Sequence, residues 1–286
     1  MKRTAIVIAW LGMATLTFGQ SAEKPASQAA PGAQQAAPAT AAPQGKRPPQ
    51  AKTQPEFDAY QAAAALTDPA ALEKASDDFA TKFADSELRP VLYKAAMHGY
   101  QQVNNADKMM AMGRKVLSFD ADDPEALLGV AQVLAERTRD TDLDKDQRLE
   151  EAKKDAERAL LTADTDVPTG GVPPEKIEAY KGFLRSEAYA ILGTISFNAK
   201  AWADAETNLR KSIDAFPQNV DPIAVFRLAV ALDMQAKYPE AMKYVNQAVD
   251  LTKEDTAAGK AARQERDRLT KLTGGSPAAP AQPAPK

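Results

Sequence analysis

The chain of 286 residues carries a formal charge of −3, one histidine and no cysteine. A disulfide framework, a thiolate metal site and a cysteine nucleophile are therefore excluded, zinc sites built on several histidines are excluded too, and the charge gives no basic footprint for nucleic acid. Seven of the twenty prolines crowd residues 20–55 and four more follow Gly274, which leaves the stretch 56–273 to bury a core.

The first element is a leader. Met1-Lys2-Arg3 precedes an uncharged apolar run from Ala5 to Phe18, a basic n-region and an h-region too short to cross a ~30 Å hydrocarbon core. Thr17 and Gly19 set a cut after Gly19, with Ala22 as the rival. Residues 1–19 are expected to be a signal peptide, and the mature chain to be exported, periplasmic or extracellular, with no membrane span left. The Ala/Pro/Gln-rich residues 20–55 and the Pro/Ala-rich residues 274–286 bury too little apolar surface to offset chain entropy. Both are expected to be disordered spacers.

From Glu56 onward the apolar residues recur at helical spacing, and a longer period lies above it. The residue that opens the second helix of each unit falls at Ala75, Met109, Ala152, Ala205 and Ala241, with gaps of 34, 43, 53 and 36 residues. Five units follow, about 56–89, 90–123, 124–165 with an insertion, 174–219 with an extra N-terminal helical segment, and 222–255. Unit one aligns Ala59, Ala62-Ala63, Leu66, Leu72, Ala75, Phe79 and Lys82; unit two aligns Tyr93, Ala96-Met97, Tyr100, Ala106, Met109, Gly113 and Val116. Unit three gives Leu127, Val130-Ala131, Leu134 and, beyond its insertion, Ala152, Ala156 and Ala159. Unit four reads Tyr189, Leu192-Gly193, Ser196, Trp202, Ala205, Leu209, Ser212 and Pro217, and unit five Val225, Leu228-Ala229, Leu232, Tyr238, Ala241, Val245 and Ala248. Pro173-Pro174 starts one long helix reaching Asn198, and residues 256–272 form a polar capping helix. The loop Thr165–Val172, with Gly170-Gly171, separates units three and four as a hinge or subarray boundary.

These residues resemble the tetratricopeptide repeat, with its large residue, Leu-Gly, aromatic, alanine and terminal proline; the likeness spans all five units and is strongest in units four and five. The chain departs from the pattern at Lys82 and at Met109. The resemblance implies an all-α, right-handed superhelical stack of about five helix-turn-helix units with a C-terminal cap. It also implies a concave face, lined by the first helices, that takes extended or helical peptides. The groove-facing offsets fall on Phe57, Tyr60, Lys94, His98, Gln101, Leu128, Gln132, Phe197, Asn198, Phe226, Val230 and Met234. Lys94 and Asn198 are isolated, which disfavours a carboxylate clamp, and the apolar residues suit an amphipathic partner segment. The expected function is a non-catalytic protein-binding scaffold of the cell envelope, with a protein or peptide partner and no cofactor.

Two features are candidates for chemistry. His98 has no accompanying nucleophile motif such as Gly-x-Ser-x-Gly, so a groove or surface role is expected. The insertion carries Asp140, Asp142, Asp144, Asp146 and Glu151 at offsets that echo a calcium-binding EF-hand loop, although Lys145 replaces the glycine of the sharp turn. A calcium-modulated adaptor using loop 140–151 is the alternative to the plain scaffold. The competing assignment makes Asp144 and Gln147 a capping pair for the following helix.

Overall fold

The computed structural model describes residues 46–274. The expected leader 1–19, most of the linker 20–55 and the tail after Gly274 lie outside the described residues. Those described form eleven α-helices and one 3₁₀ turn, with no strand among them. The helices are α1 Gln54–Ala64, α2 Pro69–Lys82, α3 Arg89–Gln102, α4 Ala106–Phe119, α5 Pro124–Arg137 and α6 Lys145–Thr165, followed by α7 Pro174–Asn198, α8 Trp202–Ala215, α9 Pro222–Asp233, α10 Tyr238–Leu251 and α11 Ala257–Leu272. The pairs α1–α2 to α9–α10 are the five units, α7 is the single long helix, and α11 closes the stack.

Local chemistry sets the helix starts. Asp68 accepts from Ala71 N at 2.8 Å, Asp123 from Ala126 N at 2.9 Å and Asp221 from Ile223 N at 2.9 Å. Each is followed by a proline at the first helical position, where a missing N–H is harmless. Asp144 is the residue before α6, but its side chain makes no capping hydrogen bond, so the expected Asp144–Gln147 capping pair is not formed.

The turns inside units two, four and five repeat a single design. Asn104, Lys200 and Ala236 stand at φ 57°, 58° and 58°. In each unit the next amide reaches back five residues: Asn105 N to Tyr100 O, Ala201 N to Ser196 O and Lys237 N to Leu232 O, all 2.9 Å. The left-handed residue donates to Gln101, Phe197 and Asp233 O in the same order. This double return is a Schellman motif, which satisfies the last carbonyls of the first helix. Tyr100, Ser196 and Leu232 are also equivalent in the sequence alignment, so the period exists in the backbone as well as in the side chains.

Packing follows from small residues at the helix crossings. Ala96, Ala126, Ala131, Ala152, Ala156, Ala188, Ala205, Ala229 and Ala241 are fully buried. Gly193 faces Leu209 so closely that a Cβ on it would stand 2.7 Å from Leu209 Cγ and Cδ2. The core runs along the stack as successive clusters and has no single centre. Met109 and Met112 are buried in the first cluster, as core filling. Ion pairs bridge the second helices: Lys108 to Glu73 and Lys115 to Asp77 between α2 and α4, Arg114 to Glu151 between α4 and α6, and Lys237 to Glu206 beside Arg210 to Glu240 around α8 and α10. The Arg268 guanidinium of α11 binds Asp233 of α9 and fastens the cap.

Within the expected linker, residues 46–52 lie against the stack, where Lys46, Arg47 and Lys52 meet acidic or carbonyl groups on the inter-unit loops, and α1 begins at Gln54 behind its N-cap Thr53. Chain entropy favours release of a Pro-rich segment; a row of complementary partners offsets it here.

Candidate functional site: the face built by the first helices

Successive first helices pack on one another, α1 on α3, α3 on α5, α5 on α7, α7 on α9 and α9 on the cap α11. The second helices meet one another mainly through long charged side chains. The stack is thus tighter along the first-helix side, which makes that side the inner one.

At the α3–α5–α7 end the inner face is closed by a polar cluster. Lys94 Nζ lies 2.8 Å from Asp123 Oδ2 and 2.9 Å from Glu125 Oε1, and His98 Nε2 lies 2.8 Å from Glu125 Oε2. Tyr180, on the N-terminal extension of α7, stands near enough to Glu125, and Gln101 near enough to His98, for each pair to interact electrostatically. Burial works against the Lys94 charge, but Asp123 and Glu125 overcome it and raise the ammonium above its ordinary value. Burial likewise opposes ionisation of Glu125, and Lys94 followed by His98 and Tyr180 reverses this and holds the carboxyl far below the usual range. For His98, desolvation is outweighed by the Glu125 carboxylate and the imidazole pKa is raised. With His98 protonated, two cations balance two carboxylates.

Further along, α5, α7 and α9 enclose a narrow cleft lined by Gln132, Glu136, Glu187, Thr194, Asp221 and Arg227. Thr194 Oγ1 accepts from Arg227 Nη1 at 2.7 Å and donates to Ala190 O at 2.8 Å. Gln132 Nε2 donates to Glu136 Oε1 at 3.3 Å. Val230, half-buried, and Met234, 54% exposed, lie three and seven residues after Arg227 and so share its side of α9.

The twelve expected groove residues therefore divide. Lys94, His98 and Gln101 come together with Glu125, their polar groups engaged with one another. Leu128 is a correction: it is buried in the second core cluster, which joins α5 to α6 and α7. Phe226 packs on the cluster of Val225, Ala248 and Ala262, and Phe197 meets Trp202 edge-on at 5.4 Å between centroids, so both serve packing. Tyr60 packs against the first cluster, which raises its phenol pKa by burial; Phe57 is half-buried beside it on α1. Asn198 Nδ2 reaches Ala135 O at 3.5 Å and ties the end of α7 to α5. Gln132, Val230 and Met234 remain on the surface around the cleft.

Glu136, Glu187 and Arg227 were outside the expected set. Helical arithmetic could have found them, since Glu136 is four residues after Gln132 and Glu187 is seven before Thr194. Tyr180 was less accessible, because it comes from the extension of α7 that precedes the repeat pattern.

In the acidic insertion the candidate calcium ligands take separate partners. Asp140 pairs with Lys145 at 2.7 Å, Asp142 Oδ2 accepts from Arg139 N at 2.9 Å, Asp144 stands 4.0 Å from Arg148, and Glu151 pairs with Arg114 at 2.9 Å. Asp146 lies in the first turn of α6. The five carboxylates do not converge, and among the described residues no group of three or more carboxylate or histidine side chains is placed to hold a metal. Without the turn glycine the segment folds onto its own Lys145 and enters α6.

The fold is an all-α stack of helical hairpins closed by a final helix. A solved tetratricopeptide repeat protein from Parabacteroides merdae is similar at 14% identity over 78% of this chain and 88% of its own, with a TM-score of 0.38. An assembly chaperone of RpL4 (Acl4) is similar at 13% identity over 77% of this chain and 99% of its own, with a TM-score of 0.36. No family model and no curated protein matches the chain. No described helix is long and apolar enough to cross a membrane.

Proposed function

We propose that this chain is a non-catalytic scaffold of the cell envelope that binds an amphipathic segment of a partner protein on the inner face of its tetratricopeptide-like stack. The observation that carries this reading is the surface shared by α5, α7 and α9, where a cleft lined by Gln132, Ala135, Glu136, Ile191, Thr194 and Arg227 is followed along α9, three and seven residues after Arg227, by half-buried Val230 and exposed Met234. A helix laid there would cover the apolar residues and meet polar partners along one side. His98 supports a structural role, since its polar neighbours are Glu125, Gln101 and a Lys94 held charged by two carboxylates, with no hydroxyl or thiol nucleophile among them. The basic n-region and short h-region at the start of the sequence support export.

The test is a crosslinking pull-down from native envelope with the full chain, comparing wild type with Val230→Glu and Met234→Glu. The reading expects the captured partner to be lost while far-UV helicity is unchanged. Capture of the same partner by all three proteins would refute it.

A further inference from the structure

Residues 46–52 are short and mostly polar, yet they touch three successive inter-unit loops. Lys46 Nζ lies 2.5 Å from Asp120 Oδ2, after α4, and 3.7 Å from Asp166 Oδ1, after α6. Its carbonyl accepts from Thr169 N at 3.3 Å. Arg47 Nη2 lies 2.5 Å from Glu87 Oε1, between α2 and α3, and the Gln50 amide donates to the other oxygen of Glu87 at 3.4 Å. Lys52 Nζ donates to Asp85 O at 2.7 Å. Apolar contact accompanies the charges: Ala51 packs on the first core cluster, and Pro48 sits on Gly170 so closely that a Cβ there would stand 2.7 Å from Pro48 Cγ.

We infer that this loop edge is a binding site for an extended, basic, proline-containing segment, and that residues 46–52 fill it as a ligand in cis. The parts expected of peptide recognition are all present. Pro48-Pro49 stiffens the segment in extended form before it binds. Carboxylates at Glu87, Asp120 and Asp166 match the two leading cations, and main-chain hydrogen bonds at both ends of the segment fix its direction. Gly170 leaves a seat that only a residue without a side chain provides. The ion pairs are exposed, with Lys46 at 41% and Arg47 at 65%, so the segment is held by several weak contacts and helped by its covalent tether. An occupant held in this way is replaceable by another chain of the same chemistry once the tethered copy is released. The site lies at the ends of the helices and is separate from the inner-face cleft of the proposed function.

The test uses full-length protein and a fluorescein-labelled peptide of residues 46–54, Lys-Arg-Pro-Pro-Gln-Ala-Lys-Thr-Gln, read by fluorescence anisotropy. Lys46→Glu/Arg47→Glu should empty the edge, and the peptide should then bind at least about tenfold more tightly than to wild type, whose own segment competes. Adding Glu87→Lys to that variant should abolish the gain. Equal affinity for wild type and variant, no binding to the variant, or indifference to Glu87→Lys would each overturn the inference. A second measurement needs no substitution. Raising salt from ~50 mM to ~1 M should speed hydrogen exchange at the Thr169 amide several-fold relative to the Lys237 amide, which is held by the unit-five turn. An unchanged ratio overturns the inference as well.

Discussion

Substituting Gly193 sets two ordinary effects against each other. Gly193 lies inside α7, where replacing glycine by alanine is worth up to ~1 kcal/mol in helix propensity. Its Cα also faces Leu209, which is fully buried, and a new Cβ would stand 2.7 Å from Leu209 Cγ and Cδ2. The collision falls on the branch point of a side chain with no free volume, and overpacking of that kind costs ~1–3 kcal/mol. Packing should win, leaving Gly193→Ala destabilised by ~1–2 kcal/mol and Gly193→Val by more. Leu209→Ala alone should cost ~3–4 kcal/mol through the cavity it leaves. The pair Gly193→Ala/Leu209→Ala should cost less than the two together, with a coupling of ~1–2 kcal/mol, because the second substitution removes the obstacle met by the first. Urea unfolding followed by far-UV circular dichroism measures all three. A neutral or stabilised Gly193→Ala, or strict additivity in the pair, would refute the account of how units are joined.

Ala236 holds a left-handed conformation at φ 58° on the surface, so Ala236→Gly should raise stability in the same urea assay by ~0.5–1 kcal/mol, whereas a loss would contradict the Schellman assignment. Lys94→Met should cost ~2–4 kcal/mol, since it leaves Asp123 and Glu125 facing each other without their cation; the side chains of Lys94 and Glu125 are 21% and 22% exposed, which keeps the loss below that of a fully buried pair. Adding Glu125→Gln should recover part of it. The raised pKa of His98 makes its contribution complete below pH 6.5, its ordinary value, and lost as pH rises through the higher folded-state value. Melting temperature should therefore fall above pH 6.5 in wild type and fall less in His98→Asn. Asp155, pushed up to about 6 by burial and then by Glu151, adds its own loss between pH 3.8 and 6, below the window that reports on His98.

The repeat period was legible because it is written in small residues. Ala152, Ala205 and Ala241 can be found in the string alone, and each is fully buried where two helices cross. The long α7 was legible from the absence of proline between Pro174 and Asn198. The inner face was harder to read. A position on the first helix says which way a side chain points but not what stands opposite, so Lys94 and His98 appeared as open groove residues although Glu125 and Tyr180 close over them. Leu128 was misplaced for the same reason, since it is buried in the cluster that α5 shares with α6 and α7. Carboxylate spacing in the acidic insertion does not show which partners the side chains take; Asp140 pairs with Lys145 and Glu151 with Arg114. The order of residues 46–52 was hidden by composition, which favours disorder and is blind to Glu87, Asp120 and Asp166 waiting far along the chain.

The route of residues 46–52 also fixes a point of anchorage. Lys46 is the residue of this segment farthest from α1, and it sits beside Asp166 and Thr169, at the junction of the third and fourth units and not at the outer end of the first. Tension arriving along the chain from that direction enters the array near its middle. It loads the contacts of Lys46 at Asp120 and Thr169 first and those of Arg47 at Glu87 next, before any force reaches α1, so a hairpin that would peel first in a bare stack is sheltered by its own leash.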